Sequence, residues 1–297
     1  MVVIERDGMA VSKLEEMVNP VPLAMMFPDA RIADIEALRS WHGADGLDVP
    51  FEDITLALSV HSFVLSMNGK TILVDGCNGN DKTRSIPFAD HLRTDYLDRL
   101  AHAGVRPEDV DIVMCTHLHC DHVGWNTRLL DGRWVPTFPN ARYLFSRADY
   151  DHFRDPASDA LHREAFQDSV LPIVDAGLAE LVEPGGAVAD AAGLWIDDAS
   201  GHSPGSVLLR AGKTGRELIF AGDVMHHPLQ IARPSLNTPF DHDPARAIAV
   251  RRALLEACAD TDRIVLPAHF EGCSAGSIHR DGDDYRMEAL HRCPAAG

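Results

Sequence analysis

Four side chains that can bind a metal ion stand within six positions of the chain: His117, His119, Asp121 and His122. The apolar residues 111–115 directly before them predict a buried strand that ends at this loop. A strand that delivers polar groups at its end is how an α/β protein presents chemistry at the edge of its sheet. The chain has 16 histidines, so chance clustering is the alternative, and further candidate ligands downstream argue against it.

Three more candidate ligands each follow an apolar run that predicts a strand. They are His202, Asp223 and His269, which follow residues 194–196, 218–222 and 264–267. Seven histidine and aspartate ligands are too many for one tetrahedral ion, and they suit two ions that share a carboxylate and a water-derived hydroxide. Such a pair would lower the pKa of the bridging water toward about 7 and so generate a nucleophile at neutral pH.

The ligand types and the missing motifs narrow the chemistry. Histidine and aspartate without cysteine favour Zn²⁺ and also accept Mn, Fe or Co. The chain has no GxSxG, P-loop or GxGxxG sequence, so serine-nucleophile, nucleotide and dinucleotide chemistry lack support. Its six cysteines include no CxxC pair, which predicts reduced thiols in a cytoplasmic protein. We expect Cys120, inside the ligand motif, to pack beside the site, with a reactive thiol as the alternative.

The bulk composition limits the partners. The chain has 297 residues, 45% of them hydrophobic, which is enough to bury a substantial core. Lysine and arginine number 27 against 45 acidic residues, a net charge of −18, which disfavours nucleic-acid and anionic-membrane partners. No basic start with a long apolar segment and no run of about 18 apolar residues is present, so neither a secretion signal nor a membrane span is expected.

The remaining elements must position the ligands. Asn68-Gly69 between two apolar runs predicts a β-hairpin, because both turn residues tolerate positive φ. Asp75 ends the second strand of this hairpin, either as a turn residue or as a carboxylate that orients a ligating histidine. Periodicity and turn residues further predict helices over 92–100, 158–174 and 243–259, strands at 142–145 and 207–209, and a loop near the site over 125–139.

Residues 1–50 are predicted to form an N-terminal extension that packs on or covers the main domain, residues 51–297. Pro20, Pro22 and Pro28 should break up any long element there. The extension could also contribute to a homodimer contact or cover a pocket.

The run His117-x-His119-x-Asp121-His122, with the three later ligands, resembles the metallo-β-lactamase fold superfamily from about residue 54 to 270. The resemblance implies an α/β (α+β) fold, a four-layer αββα sandwich of two mixed β-sheets flanked by helices, with the metal site at one edge. It implies a first metal on His117, His119 and His202, a second on Asp121, His122 and His269, and Asp223 as the bridge.

Within this superfamily the chain is similar in length and layout to bacterial lactonases that open acyl-homoserine lactones and to related ester hydrolases. The complete Asp121-His122 pair favours a dinuclear hydrolase, and Asp223 differs from the β-lactamase branch that has cysteine there. Asp121 would also carry a proton to the leaving group. Several such lactonases have a tyrosine three positions after the bridging aspartate, where this chain has His226. Its imidazole could donate to the developing oxyanion, or His226 and His227 could be a loop pair without a catalytic role.

Other activities of the same fold stay open. They are phosphotriester, thioester or β-lactam hydrolysis at the same two-metal site, and a mononuclear iron thiol or persulfide dioxygenase. A silent binding protein is disfavoured, because no ligand is lost. The expected partner is a small molecule with an ester, lactone or similar bond. An aromatic pocket wall would suit an acyl chain or an aromatic ester. Phe240 and Phe270 flank ligand-bearing strands, whereas the other candidates have a place in the core as the alternative, which is favoured for Phe63. The six candidates are Phe63, Trp125, Trp134, Phe138, Phe240 and Phe270.

Overall fold

The computed structural model describes residues 2–42 and 49–290, without the side chains of residues 40–42. The strands of these residues are β1 (Val2–Arg6), β2 (Met9–Pro22), β3 (Thr55–Met67), β4 (Lys70–Val74), β5 (Ile112–Met114), β6 (Thr127–Leu130), β7 (Arg133–Pro136), β8 (Arg142–Ser146), β9 (Ala179–Val182), β10 (Gly186–Ala187), β11 (Leu194–Asp198), β12 (Val207–Ala211), β13 (Leu218–Gly222), β14 (Ile264–Pro267), β15 (Gly276–Asp281) and β16 (Asp284–Ala289). The α-helices are α1 (Leu23–Met26), α2 (Ile32–His42), α3 (Tyr96–His102), α4 (Cys120–Val123), α5 (Arg147–Phe153), α6 (Ala160–Ala165), α7 (Leu171–Asp175), α8 (Leu229–Ala232) and α9 (Pro244–Cys258).

Two mixed seven-stranded sheets form the body of the fold, in the orders β1-β2-β3-β4-β5-β8-β9 and β10-β11-β12-β13-β14-β15-β16. The first is antiparallel up to β4 and parallel from β4 to β9. The second has one parallel pair, β13 with β14. Helices cover the outer face of each sheet, so the predicted αββα sandwich is confirmed. None of the described helices is long and apolar enough to cross a membrane.

Alternating side chains of the central strands build two cores at once. In β13, Leu218 and Phe220 enter the core between the sheets, while Ile219 enters the core under α9. In β5, Ile112 and Met114 face the same inter-sheet core, and the intervening residue packs under the helices of the first sheet. Both faces of these strands are therefore buried, which is why the sequence reads as continuous apolar runs there.

The segment before residue 50 departs from the prediction. Met9–Pro22 is one long strand, and it pairs with β3 from Ala10–Ser66 to Pro22–Thr55, so the expectation that prolines break this segment is wrong. β1 pairs only with the start of β2, at Met9–Ser12. Among residues 2–42 and 49–290, no strand pairs with the other side of β2 at Pro20 and Pro22, and an edge strand tolerates a missing N–H. Residues 43–48 of the predicted extension lie outside the described residues.

Other predicted elements have mixed outcomes. The hairpin at Asn68-Gly69 is confirmed as β3–β4, and α9 confirms the helix from Asp243, whose side chain caps it by accepting from Arg246 N. The predicted loop at 125–139 is wrong, because residues 127–136 form the hairpin β6–β7. Its turn, Asp131-Gly132, has positive φ at both positions. The helix predicted over 158–174 consists of α6, a π-helical turn at Phe166–Val170 and α7.

Candidate metal centre

The candidate ligands lie at the edge where the two sheets meet. Val207 N donates to Thr116 O across 2.8 Å, and Ser59 N donates to His269 O across 3.0 Å, so backbone hydrogen bonds join the sheets at this point. Gly222, with φ +50°, ends β13 so close to the ligand loop that a Cβ would lie 2.7 Å from Thr116 Oγ1. The sequence Gly-Asp thus places the carboxylate of Asp223 directly beside the loop that starts at His117.

All seven predicted ligands come together in this cluster. Their ligand atoms form overlapping groups, each within 4.8 Å: His117, His119 and His202; His117, His122 and Asp223; and Asp121, His122 and His269. Asp223 is central, because its Oδ2 lies 3.3 Å from His202 Nε2 and its Oδ1 lies 3.3 Å from His122 Nε2. One carboxylate therefore faces ligands of both predicted metals. A fourth group adds His226 to His202 and Asp223.

Several ligand atoms in the cluster are buried without a hydrogen bond. Among the described residues, His117 Nε2, His122 Nε2 and Asp223 Oδ1 are buried and make none. The approach of His122 to Asp223 lacks the alignment of a hydrogen bond. Unpaired buried polar atoms are rare because each costs free energy. Bound divalent metal would give these atoms partners, so the residues present fit the metal centre that the ligand set implies.

Burial and neighbouring charges shift the pKa values of the candidate ligands in different directions. Burial lowers the pKa of the imidazoles of His117 and His119 well below its usual range, which keeps their lone pairs available. Burial opposes ionisation of Asp223, but the neighbouring imidazoles of His122 and His269 hold its pKa well below the usual range. Against burial, the carboxylates of Asp223 and Asp121 raise the pKa of His122 and His269, so binding of a divalent ion would release protons from these two imidazoles.

A second layer of polar groups orients the ligands. Asp75 Oδ2 lies 3.0 Å from His122 Nδ1, and its Oδ1 accepts from Thr116 N across 2.7 Å. Asp75 therefore takes the orienting role left open by the sequence, and its φ of +62° also makes it a turn residue. His269 Nδ1 lies 3.1 Å from Ser59 O, to which it can donate a hydrogen bond. Such partners fix the tautomer and ring angle of a ligating histidine.

Two carboxylates of this layer have no local signal in the sequence. Asp241 Oδ1 lies 3.0 Å from His202 Nδ1, which is hydrogen-bonding distance. Asp149 accepts from Leu118 N at 3.0 Å, Ser203 Oγ at 2.8 Å and Gly205 N at 2.6 Å, so it ties the first ligand loop to the loop of His202. Burial raises the pKa of Asp149 against these stabilising hydrogen bonds. Each carboxylate meets its partners only through the tertiary fold.

The predicted pocket walls are mostly core. Phe63 packs between the sheets, Phe138 packs under the helices, and Trp125 stacks on a buried tyrosine, Tyr96, at 5.1 Å between ring centroids. For these three residues the core position that the sequence left open as the alternative is the one observed, and they do not line an aromatic mouth. Phe240 is exposed, and Trp134 lies against a lysine ammonium.

Phe270 takes part in a different feature, a cavity of about 340 Å³ beside the centre. Its lining includes His227 and Phe270, which adjoin His226 and His269 in the chain. Cys120 is buried, and burial raises the pKa of its thiol, so it packs beside the site as expected.

The family model of the metallo-beta-lactamase superfamily matches residues 56–269, a segment that contains all seven candidate ligands. The chain belongs to the metallo-beta-lactamase superfamily. This is a superfamily of metal-dependent hydrolases. None of the curated proteins compared with the chain matches it in sequence.

Solved structures share the superfamily fold over nearly the whole chain. The hydrolase AbOPH of the beta lactamase superfamily has a TM-score of 0.80 at 23% identity, covering 98% of this chain and 97% of that one. AidC, a dizinc quorum-quenching lactonase in complex with a product, has a TM-score of 0.73 at 19% identity, with 96% and 95% covered. A probable metal-dependent hydrolase from Staphylococcus aureus has a TM-score of 0.74 at 16% identity, with 96% and 99% covered.

Proposed function

We propose that this member of the superfamily is a dinuclear hydrolase that opens a lactone or cleaves a carboxylic ester, in the cytoplasm. The observation that carries the proposal is the position of Asp223, whose two oxygens face the ligand groups of both metals. A single-ion centre would need only one of these groups. The similar fold of a dizinc lactonase supports a lactone or ester substrate.

In this proposal His117, His119 and His202 hold one ion, Asp121, His122 and His269 hold the other, and Asp223 bridges them. When bound, two divalent ions, with Zn²⁺ as the first choice, polarise the carbonyl under attack and make a water molecule acidic enough to act as the nucleophile.

The chain's own residues would move the proton and stabilise charge. The side chain of Asp121 is 29% exposed, so its carboxylate can reach both the centre and a bound substrate. It would carry a proton to the leaving alkoxide. His226 Nε2 lies 3.2 Å from Asp223 Oδ2 and therefore points into the centre. Its N–H would donate to the oxygen of the tetrahedral intermediate, the role that tyrosine takes in related lactonases.

The test combines metal analysis with a substrate panel. The protein is purified with its metals retained, its metal content is measured, and lactones, aryl esters, phosphotriesters, thioesters and β-lactams are assayed. We expect two ions per chain and turnover of a lactone or ester, which His119→Ala abolishes. Wild-type turnover in Asp121→Asn would contradict the role of Asp121 as proton carrier. One iron per chain with oxygen uptake would overturn the hydrolase proposal in favour of a dioxygenase.

A further inference from the structure

A buried glutamate of the N-terminal strand reaches the turn that follows the ligand helix α4. Glu16 is the extra residue of a β-bulge in β2, because Glu15 pairs with His61 and Met17 pairs with Val60, which leaves Glu16 without a partner in β3. Such bulges change the direction of a side chain and are frequent next to active sites. The side chain of Glu16 is buried in the protein.

Hydrogen-bond donors surround the carboxylate of Glu16. Its Oε1 accepts from Trp125 Nε1 across 2.7 Å and from Gly79 N across 3.2 Å, and its Oε2 accepts from Asn78 N across 2.9 Å. Asn78 Nδ2 and Thr94 Oγ1 are further donors, each at 3.3 Å. Burial raises the pKa of Glu16, and the hydrogen bonds from Asn78, Trp125 and Gly79 oppose this shift. One acceptor-only carboxylate therefore joins β2 to the turn that follows β4 and to the turn that follows α4.

The turn that follows β4 is strained and closely packed. Two residues other than glycine have positive φ there, Asp75 at +62° and Cys77 at +46°. A Cβ on Gly124 would lie 1.7 Å from Asn78 O, so the chain after α4 packs directly on this backbone. Left-handed conformations of this kind persist only where the surrounding structure fixes them. The hydrogen bonds from this turn to Glu16 are part of what fixes it.

Backbone hydrogen bonds join the same turn to α4 and the residues after it. Gly76 N donates to His122 O across 2.6 Å, and Trp125 N donates to Gly76 O across 2.6 Å. His122 is a candidate ligand, and its Nδ1 lies 3.0 Å from Asp75 Oδ2 in this turn. A displacement of the turn would therefore move both His122 and the carboxylate that orients it.

We propose that Glu16 is a positioning residue for the second ion, the one assigned to Asp121, His122 and His269. By holding the turn after β4 against α4, it keeps Asp121 and His122 in the geometry that this ion requires. The inference rests on the proposed function, because it concerns the second of the two proposed ions. The ligands of the first ion precede α4 or come from the other sheet, so the affinity for that ion should depend little on Glu16.

The test measures the affinity of the metal-free protein for each ion, by titration with Zn²⁺ against a chromophoric chelator. Glu16→Ala removes both acceptor oxygens, and Glu16→Gln keeps one of them. Trp125→Phe removes the indole N–H and keeps an aromatic ring. Glu217→Ala is the matched control, because Glu217 is also a buried glutamate that accepts from a backbone N–H, that of Gly215 at 2.8 Å. It lies directly before β13, at the opposite end of that strand from Asp223.

Two backgrounds identify the ion that is affected. His202→Ala removes a ligand of the first ion, and His269→Ala removes a ligand of the second. We expect Glu16→Ala to weaken binding of the remaining ion about tenfold in the His202→Ala background, the lower end of the effect of losing an outer partner of a ligand. In the His269→Ala background, Glu16→Ala should leave the affinity unchanged. Glu16→Gln and Trp125→Phe should each cause a smaller but measurable loss for the second ion, and Glu217→Ala should cause none.

The outcomes separate this inference from the proposed function. Equal affinities of Glu16→Ala and wild type for both ions overturn the role of Glu16 and leave the proposed function standing. An equal loss in both backgrounds, or a loss that Glu217→Ala reproduces, also overturns it, because either result would show a general effect on the fold.

Two further results bear on the proposed function itself. If wild type holds two ions but opens no lactone or ester, the proposed function fails, and the titration still decides the role of Glu16. A single ion in wild type overturns both proposals. Should Glu16→Ala fail to fold, Glu16→Gln and Trp125→Phe decide by the same comparison, and wild-type affinity for the second ion in both of them overturns the inference.

Discussion

Asp241 and His202 form a buried pair, with Asp241 Oδ1 3.0 Å from His202 Nδ1. The same carboxylate accepts from Thr238 N and lies 3.9 Å from the guanidinium of Arg251, a fully buried side chain on α9. Arg251 also donates to Val224 O, directly after Asp223 in the chain. The loops of two candidate ligands, His202 and Asp223, are thereby linked to one helix.

Replacing Asp241 should weaken metal binding. In Asp241→Ala, His202 loses the acceptor that fixes its tautomer and ring angle, and loss of such a partner typically costs about 10–100-fold in metal affinity. Competition with a chromophoric chelator measures this change. Asp243→Asn is the control, because Asn caps a helix as well as Asp does and the side chain of Asp243 accepts from Arg246 N at the start of α9, while its backbone bond to Gly201 O is kept in the variant. Equal affinity of Asp241→Ala and wild type would contradict the orienting role.

Removing the metals should destabilise the fold. The centre gathers buried polar atoms that have no hydrogen bond, among them His117 Nε2 and Asp223 Oδ1. A ligand at about 1,000 times its Kd stabilises the native state by about 4 kcal/mol, which corresponds to roughly 10 °C in the Tm of a protein of this size. Thermal unfolding is measured before chelation, after chelation, and after adding Zn²⁺, Mn²⁺ or Co²⁺. The change in Tm gives the stabilisation by metal, and its dependence on the added ion gives the metal preference. His119→Ala should show a much smaller response, and an equal response would refute a centre at these residues.

The candidate ligands could be located in the sequence because each set of them follows a run that is strand-like on its own. Ile219 and Phe220 face different cores, so β13 is apolar throughout, and the aspartate after it stands out in the sequence. The hairpin β6–β7 was open to prediction in the same way, since Asp131-Gly132 is a local turn signal. Trp134 and the prolines at positions 136 and 139 favoured the interpretation as a loop near the site instead.

Asp75 apart, the residues that orient the candidate ligands could not be predicted in this way. Asp149 contacts Leu118 and Gly205 only because α5 packs against both loops. His162 reads as one polar position of an amphipathic helix, and nothing in its neighbourhood of the sequence shows that its ring stacks on that of His119. Contacts between segments far apart in the chain depend on the tertiary fold, which periodicity does not report.

Lys82 should make stability depend on pH. Its side chain is fully buried, its Nζ donates to Thr127 Oγ1, and burial lowers its pKa from 10.5 to about 7 against the opposing charge of Asp168. Between about pH 7 and the unfolded pKa, the unfolded state holds more protons, so stability rises with pH. We expect this lysine to contribute about 2 kcal/mol of added stability between about pH 7 and pH 9.

Urea unfolding of wild type and Lys82→Met at both pH values isolates this contribution. The difference in unfolding free energy between the two proteins should shift in favour of wild type as the pH rises. Lys70→Met, at a partly exposed position, is the control and should show no such shift. A difference that stays constant with pH would mean that Lys82 keeps its proton in the folded protein.

His226 should act on turnover rather than on metal binding. Its Nε2 lies 3.2 Å from Asp223 Oδ2, and its ring is parallel to that of His269 at 5.7 Å, so Nε2 faces the middle of the ligand cluster, where the proposed function requires the substrate oxygen. His226→Phe keeps a ring there but removes the donor. Loss of one oxyanion donor typically lowers kcat by about 10²–10³-fold, and we expect this drop with little change in KM.

The tyrosine variant and the metal content decide between donor and ligand. His226→Tyr should recover part of the lost kcat, because a phenol can donate to the same oxygen. His226 also belongs to a possible ligand group with His202 and Asp223. A ligand role would make His226→Phe lose an ion that His226→Tyr does not restore, whereas a donor role leaves two ions in both variants. Wild-type kcat in His226→Phe would exclude both roles and leave His226 as a loop residue.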